Sequence, residues 1–503
     1  MQSDFNLAKV HFELGLEAIS QGNYIEAEKQ LLQANVLAPK RPSILTNLSA
    51  VFISLQNWQA AESLCKELLM IEPENAECLI NLGMCDIHSN NSEGALVKFN
   101  RAIEIAPQAL SAWINKGNIL QELGNFDEAK VCLKKALELN PKSEEALIGM
   151  GNLHNELKEY EEGIKCFSKV LAINPQNAQA EWNKALSILR LGDFEGGWRL
   201  YEARWRVRGM AEHARYQDIP LWLGDLPLNQ KNILIHDEQG FGDTIQMARY
   251  LPLLEKQMGA QVFFAVQSPL IELMKTLSPS ITIIDSRKPV AQQISQKMDY
   301  QCPVMSLPLA FKTTLSSIPQ NTPYLFVDEN KRLFWQKRLN EISPKTVLSK
   351  TKLRVGITWS GSGHYAGKKS SKRDLPFEQV NALVKSMACE AIDFHAIQKD
   401  LRIDCLKDTP ENLFFHGDHL NNFADSAALL AELDLAISVD TAVGHLAGAI
   451  GKDVLLLIPD PPDFMAMVDI NNSPWYPKTQ LIRQNKCGVW LIEHIKDVIL
   501  QFK

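Results

Sequence analysis

Apolar positions along the first two hundred residues recur with a helical rhythm, and that rhythm itself repeats. Prolines stand at Pro39, Pro73, Pro107, Pro141 and Pro175, each 34 residues after the one before. Small residues hold two further phases of the same period: Gly15, Ser49, Gly83, Gly117, Gly151 and Ala185, then Ala27, Ala61, Ala95, Ala129, Gly163 and Gly197. Small side chains at fixed phases let paired helices approach closely and stack pair upon pair. Aromatic residues Tyr24, Trp58, Phe126, Tyr160 and Phe194 follow breaks such as Gln21-Gly22-Asn23, Leu123-Gly124-Asn125 and Leu191-Gly192-Asp193, which end one helix and start the next.

From Lys231 the period changes, and short apolar runs alternate with amphipathic ones. Strands are expected at 232–236, 261–266 and 281–284, with helices at 243–258 and 269–277 between them. A proline-rich stretch with Pro303, Pro308, Pro319 and Pro323 reads as irregular. The alternation restarts at 353–359, continues through a helix at 378–387, a strand at 392–397, a helix at 425–432, a strand at 435–439 and a helix at 441–450, and a strand at 454–458 is expected to complete a second sheet. The organisation read from this is a repeat array over 1–211, a linker over 212–230, and two doubly wound halves over 231–345 and 346–503.

The 34-residue unit resembles the tetratricopeptide repeat, in six copies over about residues 8–211. Such a solenoid presents a groove lined by the first helix of each pair. Asn47, Asn81, Asn115 and Asn183 share one phase of that helix. A ladder of amides, each both donor and acceptor, can grip an extended peptide backbone; similar ladders occur in protein O-GlcNAc transferases. Asparagines that cap or bridge turns inside the solenoid are the other reading of the same residues. The sixth unit departs from the pattern in Gly197-Trp198-Arg199-Leu200-Tyr201-Glu202-Ala203-Arg204-Trp205, an aromatic and arginine-rich run suited to capping the array and docking it to the rest of the chain.

Three loops at expected strand ends carry candidate chemistry. Glu238, Gln239, Gly240, Gly242 and Asp243 follow the first strand. Ile245 stands where a dinucleotide fingerprint needs its third glycine, which disfavours NAD. The loop reads either as a tight turn with an Asp cap or as an acceptor loop whose carboxylate takes a proton from a hydroxyl. In the second loop Asp440 ends a strand, and Thr441, Ala442 and His445 open a helix whose free amides suit a pyrophosphate. The third comprises Ser360, Gly361, Ser362, Gly363 and His364 with the basic run Lys368, Lys369, Lys372 and Arg373, of which Arg373 is the candidate for neutralising a diphosphate. Gln398, at the end of the next strand, can face a nucleobase or ribose, or simply start a surface helix.

Taken together, the runs ILIHDEQGFGDTIQMARYLPLL, CPVMSLPLAFKTTLSSIPQNTPYL and SVDTAVGHLAGAIGKDVLLLIP resemble bacterial tetratricopeptide-repeat glycosyltransferases whose catalytic part is similar to the heptosyltransferases of glycosyltransferase family 9, and more distantly to protein O-GlcNAc transferases. The resemblance covers about residues 8–500. It implies an α-helical solenoid followed by an α/β GT-B fold of two facing Rossmann-like domains. It further implies inverting, metal-independent transfer from a nucleotide-sugar, with no other cofactor. By the same resemblance the base falls on Asp243, the donor signature on Asp440, Thr441 and His445, and a basic donor contact on Arg373. Where relatives carry an Asp-Trp-Arg-Trp-like segment, this chain reads Asp463-Phe464-Met465-Ala466. That loss favours the competing reading, a non-catalytic scaffold with a degenerate GT-B part.

Composition narrows the picture further. Lys plus Arg number 52 against 59 Asp plus Glu, a net charge of −7, so no global field draws the chain to nucleic acid. Nine scattered cysteines with no C-x-x-C pair read as buried free thiols in a reducing compartment. No apolar run approaches the ~18 residues of a membrane span, and a cytoplasmic protein is expected. The repeats suit a protein acceptor, an export or flagellar partner, or self-association into a homo-oligomer.

Overall fold

The reason for the small residues at one phase of the repeat is visible in what lies against them. A methyl group on Gly15, Gly83, Gly117 or Gly151 would come within 2.8 Å of Leu31, 2.5 Å of Phe99, 2.8 Å of Leu133 or 2.5 Å of Phe167 respectively, each 16 residues on, in the second helix of the same pair. Large residue and bare backbone therefore form one close-packed contact in each of these four pairs. The second phase, Ala27, Ala61, Ala95 and Ala129, is wholly buried.

The structure, a computed structural model, describes residues 2–288, 297–347, 350–361, 372–399, 409–485 and 488–502. It divides into two units, Met1–Ala180 and Glu181–Lys503. The first is an all-helical solenoid of pairs: α1 (Gln2–Ser20) with α2 (Tyr24–Leu37), α3 (Pro42–Ser54) with α4 (Trp58–Ile71), α5 (Ala76–His88) with α6 (Ser92–Ile105), α7 (Leu110–Glu122) with α8 (Phe126–Leu139), and α9 (Glu144–Glu156) with α10 (Tyr160–Ile173). The breaks work through their asparagines: Asn23, Asn57 and Asn91 accept the backbone N–H three residues on and so start α2, α4 and α6.

A sixth pair, α11 (Ala178–Arg190) and α12 (Phe194–Tyr201), falls with the second unit beyond its first three residues. Its Trp198 and Tyr201 pack edge-on against each other, and Phe194 stacks on Trp475 at 5.8 Å. Phe464 meets Trp198 at 6.1 Å and Tyr201 at 5.5 Å. The aromatic run thus docks the last pair onto the α/β part within one hydrophobic core.

That part contains two parallel sheets. In the first, β1 (Asn232–His236), β2 (Gln261–Val266), β3 (Thr282–Asp285) and β4 (Tyr300–Pro303) lie in the order β3-β2-β1-β4. In the second, β5 (Leu353–Thr358), β6 (Ile392–Ala396), β7 (Leu413–Phe415), β8 (Leu435–Val439), β9 (Val454–Ile458) and β10 (Thr479–Arg483) lie in the order β10-β9-β8-β5-β6-β7. This is the order of a doubly wound sheet, with a topological switch between β5 and β8. The first sheet switches likewise between β1 and β4.

Several expectations are corrected. The stretch around Pro303 is not irregular, because β4 pairs with β1 there, Ile235 opposite Cys302. The second sheet does not end at β9 but at β10, which pairs with it. The expected helix at 243–258 is two, α13 (Phe241–Met247) and α14 (Leu251–Met258), and that at 269–277 shrinks to one turn, Ile271–Met274. An unforeseen helix, α15 (Glu329–Ile342), buries only Trp335 and Leu339 of its polar sequence. Further helices are α16 (Phe377–Ser386), α17 (Phe423–Ala431), α18 (Ala442–Ala449) and α19 (Ile492–Gln501). Of the described cysteines, Cys389 is exposed rather than buried, and none is in a disulfide; Cys405 and Cys487 lie outside the described residues. Among the described residues no helix is long and apolar enough to cross a membrane.

Candidate functional site

Doubly wound sheets gather ligands at the carboxyl ends of the strands flanking the switch, where neighbouring loops part in opposite directions. Ser360 and Gly361 follow β5, and Asp440 and Thr441 follow β8, so both switch-point loops of the second sheet are the ones singled out from the sequence. They meet. A methyl group on Gly361 would stand 3.5 Å from Thr441 Cγ2 and 3.7 Å from Arg373 Nη2, and Arg373 Nη1 donates to the Asp440 carbonyl at 3.4 Å. Gly361 N–H donates to Asp374 at 3.4 Å. Ser362, Gly363, His364, Lys368 and Lys369 lie outside the described residues.

Thr441 is the N-cap of α18, but its side chain does not cap the helix. Its hydroxyl pairs with Ser438 Oγ at 3.1 Å instead, so among the described residues no N-cap side chain takes the first-turn amides of α18. One turn on, His445 is held between two partners: Nδ1 with Tyr476 Oη at 3.2 Å and Nε2 with Asp440 Oδ1 at 3.6 Å.

The first sheet brings its own switch-point loop to the same place. Gly240 is the N-cap of α13, and Asp243 is not a cap but the third residue of the helix, reaching back so that Oδ2 accepts the Gly240 N–H at 2.9 Å. Gly242 lies against α18: a methyl group there would be 3.0 Å from His445 Cδ2 and 3.6 Å from Ala442 Cα. Burial pushes the Asp243 carboxyl above its usual range, while the Gly240 amide and His445 pull it back and Asp440 pushes it further up. Burial likewise raises Asp463, to about 6, with Asp440 and Asp243 adding to the effect. Asp463 is nonetheless solvent-exposed, so water offsets part of this effect.

Other candidates are engaged differently. Glu238 is buried and forked by Arg204, Nε to Oε1 at 3.0 Å and Nη2 to Oε2 at 2.9 Å, so this member of the acceptor loop is held inside the protein. Gln239 donates to Tyr201 Oη at 2.6 Å. Gln398 is buried rather than at a surface helix start, and its Oε1 accepts no hydrogen bond from the described residues. In the solenoid, Asn47 donates to the Ser43 carbonyl of its own helix and Asn81 to Ser49 Oγ of the preceding pair, which is the bridging role. Asn115 is half-buried in α7, and Asn183, in α11, is buried within the second unit.

Tyr476, Ser438 and Asp374 carry no role in the sequence reading, and Arg204 carries only that of its run in docking the array. Each is recognisable only through its partner, since a tyrosine thirty-one positions from the histidine that it orients has no local signature. The Asp463–Ala466 segment, read from the sequence as a loss of donor contacts, packs inward: Phe464, Met465 and Ala466 are buried in the core, and Arg190 Nε donates to the Pro462 carbonyl at 3.1 Å. Among the described residues no group of three or more His, Cys, Asp or Glu is placed to hold a metal.

Two profiles of the tetratricopeptide repeat match the chain, one at residues 52–115 and the other at 111–143 and 144–177. Protein FlbA of Caulobacter vibrioides is 24% identical over 334 residues, which are 62% of this chain and 53% of that protein. The chain therefore spans about half the length of this curated relative. Among solved structures, TTC0263, a thermophilic TPR protein of Thermus thermophilus, is 20% identical, covering 36% of this chain and 99% of its own, with a TM-score of 0.34. PilF of Pseudomonas aeruginosa is 20% identical, covering 43% and 99%, with a TM-score of 0.34. YrrB, described as a TPR protein with an unusual peptide-binding site, is 19% identical, covering 34% and 88%, with a TM-score of 0.26.

Proposed function

We propose that the second unit is a glycosyltransferase of GT-B type, which moves a sugar from a nucleotide-sugar to an acceptor hydroxyl on a protein recruited by the repeats. The observation that carries the reading is the approach of Gly242 to His445 and Ala442, which brings the loop of Asp243 from one sheet to the N-terminus of α18 from the other. Asp243 takes the proton of the acceptor hydroxyl as its oxygen bonds to the anomeric carbon, and the bond from that carbon to the diphosphate breaks with its electron pair. The departing charge is met by the α18 amides, His445 and Arg373, which are directed at the place where it develops. Burial gives Asp243 a stronger basicity than an exposed aspartate has.

A scaffold without catalysis is the second reading, favoured by the loss of the Asp-Trp-Arg-Trp-like segment at Asp463–Ala466, where Phe464, Met465 and Ala466 are buried in the core. One experiment separates the two: thermal shift and calorimetry of the full chain against UDP-, GDP-, ADP- and dTDP-sugars, since a ligand that binds the folded state raises its melting temperature. Saturable binding of one donor, weakened by His445→Ala, supports transfer. Silence from all four with a folded protein supports the scaffold.

A further inference from the structure

Arg204 follows α12 in the sixth repeat, in a short 3-10 turn, Glu202–Arg206, and is completely buried. Its guanidinium has no idle edge. Beyond the fork on Glu238, Nη1 donates to Glu202 Oε1 at 2.7 Å and to the Tyr201 carbonyl at 3.3 Å, and Nη2 donates to Ser306 Oγ at 2.8 Å. Ser306 in turn donates to Glu202 at 2.8 Å. The guanidinium lies over the rings of Tyr201 and Trp205, at 4.7 and 4.6 Å from their centroids. A planar fork that satisfies a carboxylate on two atoms fixes direction as well as distance, which an ammonium cannot do.

What the fork fixes is the loop that leads to Asp243. Glu238 is held by Arg204, and the next residue, Gln239, sits in the left-handed region at φ 57° and donates to Tyr201, the last residue of α12, three positions before Arg204. The residue after that, Gly240, donates the N–H that orients the Asp243 carboxylate. Ser306, meanwhile, follows β4, the strand across the switch from β1. One side chain of the repeat array thus ties together both loops that flank the first sheet's switch point.

We infer that Arg204 is a positioning residue: through Glu238, and with Tyr201 acting on Gln239, the last repeat sets the backbone that aims Asp243. The assignment of a reaction to Asp243 rests on the glycosyl-transfer reading, but the geometric claim does not. Removing Arg204 alone leaves Glu238 buried without its counter-ion, so the discriminating variant is the neutral pair Arg204→Met with Glu238→Gln. It is compared in the full-length chain with Arg204→Lys and Asp243→Asn. Amide hydrogen exchange is followed over 238–243, and nucleoside diphosphate release is followed from UDP-, GDP-, ADP- and dTDP-glucose. The neutral pair is expected to speed exchange over that segment tenfold or more, and to lower kcat tenfold or more with KM for the donor within twofold. Arg204→Lys, which keeps the charge but not the fork, falls between the pair and the unaltered chain on both. Unchanged exchange in a folded neutral pair overturns the inference, as does unchanged kcat when Asp243→Asn abolishes release. If Asp243→Asn leaves release unchanged, or no donor is cleaved, the glycosyl-transfer reading is what fails, and exchange alone decides whether Arg204 holds the loop.

Discussion

Gly242 and His445 come from different sheets, and only a hydrogen atom separates the backbone of one from the ring of the other; a methyl group on Gly242 would stand 3.0 Å from His445 Cδ2. Gly242 has helical backbone geometry that alanine tolerates, so Gly242→Ala tests the spacing and not the fold. The ring must give by a few tenths of an ångström, which loosens its contacts with Tyr476 and Asp440. Misplacing catalytic groups by 1 Å costs up to ~100-fold. The expected outcome is a fall in donor turnover of about tenfold with little change in melting temperature, read by paired kinetics and calorimetry.

Asp243 must be ionised to accept a proton, and burial holds its carboxyl above the ordinary range. Activity therefore rises with pH through a midpoint above about 3.9, the usual aspartate value, and is lost below it. Asp243→Asn keeps an oxygen for the Gly240 N–H but no base, and turnover should fall by roughly 10²–10⁴ with donor affinity within twofold. Because a raised carboxyl pKa means that the fold disfavours the charge, the melting temperature of Asp243→Asn near neutral pH should equal or exceed that of the unaltered chain. A pH–rate profile and a melting curve check both.

Buried neutral histidines set an acid limit to the second unit. His395 Nδ1 and His416 Nε2 are 3.1 Å apart, and burial lowers both residues to about 3, His236 to about 4. The unfolded chain binds protons from about pH 6.5 downward and the folded chain does not until these lower values, so stability falls as pH drops across that window. The slope approaches about 1.4 kcal/mol per pH unit for each independent histidine. Urea unfolding at pH 7, 6 and 5 should show this loss, and a His395→Phe, His416→Leu pair should flatten it.

In the solenoid, Gly151→Ala sets helix propensity against packing. Alanine is worth about 1 kcal/mol more than glycine in a helix interior. Its methyl group would stand 2.5 Å from Phe167 Cε1, a fully buried ring. Overpacking a filled core costs about 1–3 kcal/mol, so destabilisation wins. A lowered urea midpoint for the isolated change, relieved by Phe167→Leu, is the expected result.

Much of this protein was readable from the chain because the signals are local or periodic. A 34-residue recurrence needs no knowledge of neighbours, since each pair buries its core against the next by the same contacts. The strand-ending loops with Asp243, Asp440 and Thr441 were legible because strand, glycine-rich turn and helix start are adjacent in sequence. Elements with weak local patterns were not. Tyr300–Pro303 is a strand because β1 offers it a ladder, and Glu329–Ile342 folds with two buried residues that no periodicity announces. The asparagines looked alike in sequence, but Asn47 and Asn81 are committed to Ser43 and Ser49 by neighbours that only folding supplies. Tertiary structure alone decided that Glu238 answers to Arg204, 34 positions earlier, and that Gly242 meets His445, 203 positions later. The physical reason is that hydrogen bonds and packing depend on distance in space, whereas sequence patterns report only what lies within a few turns of the same element.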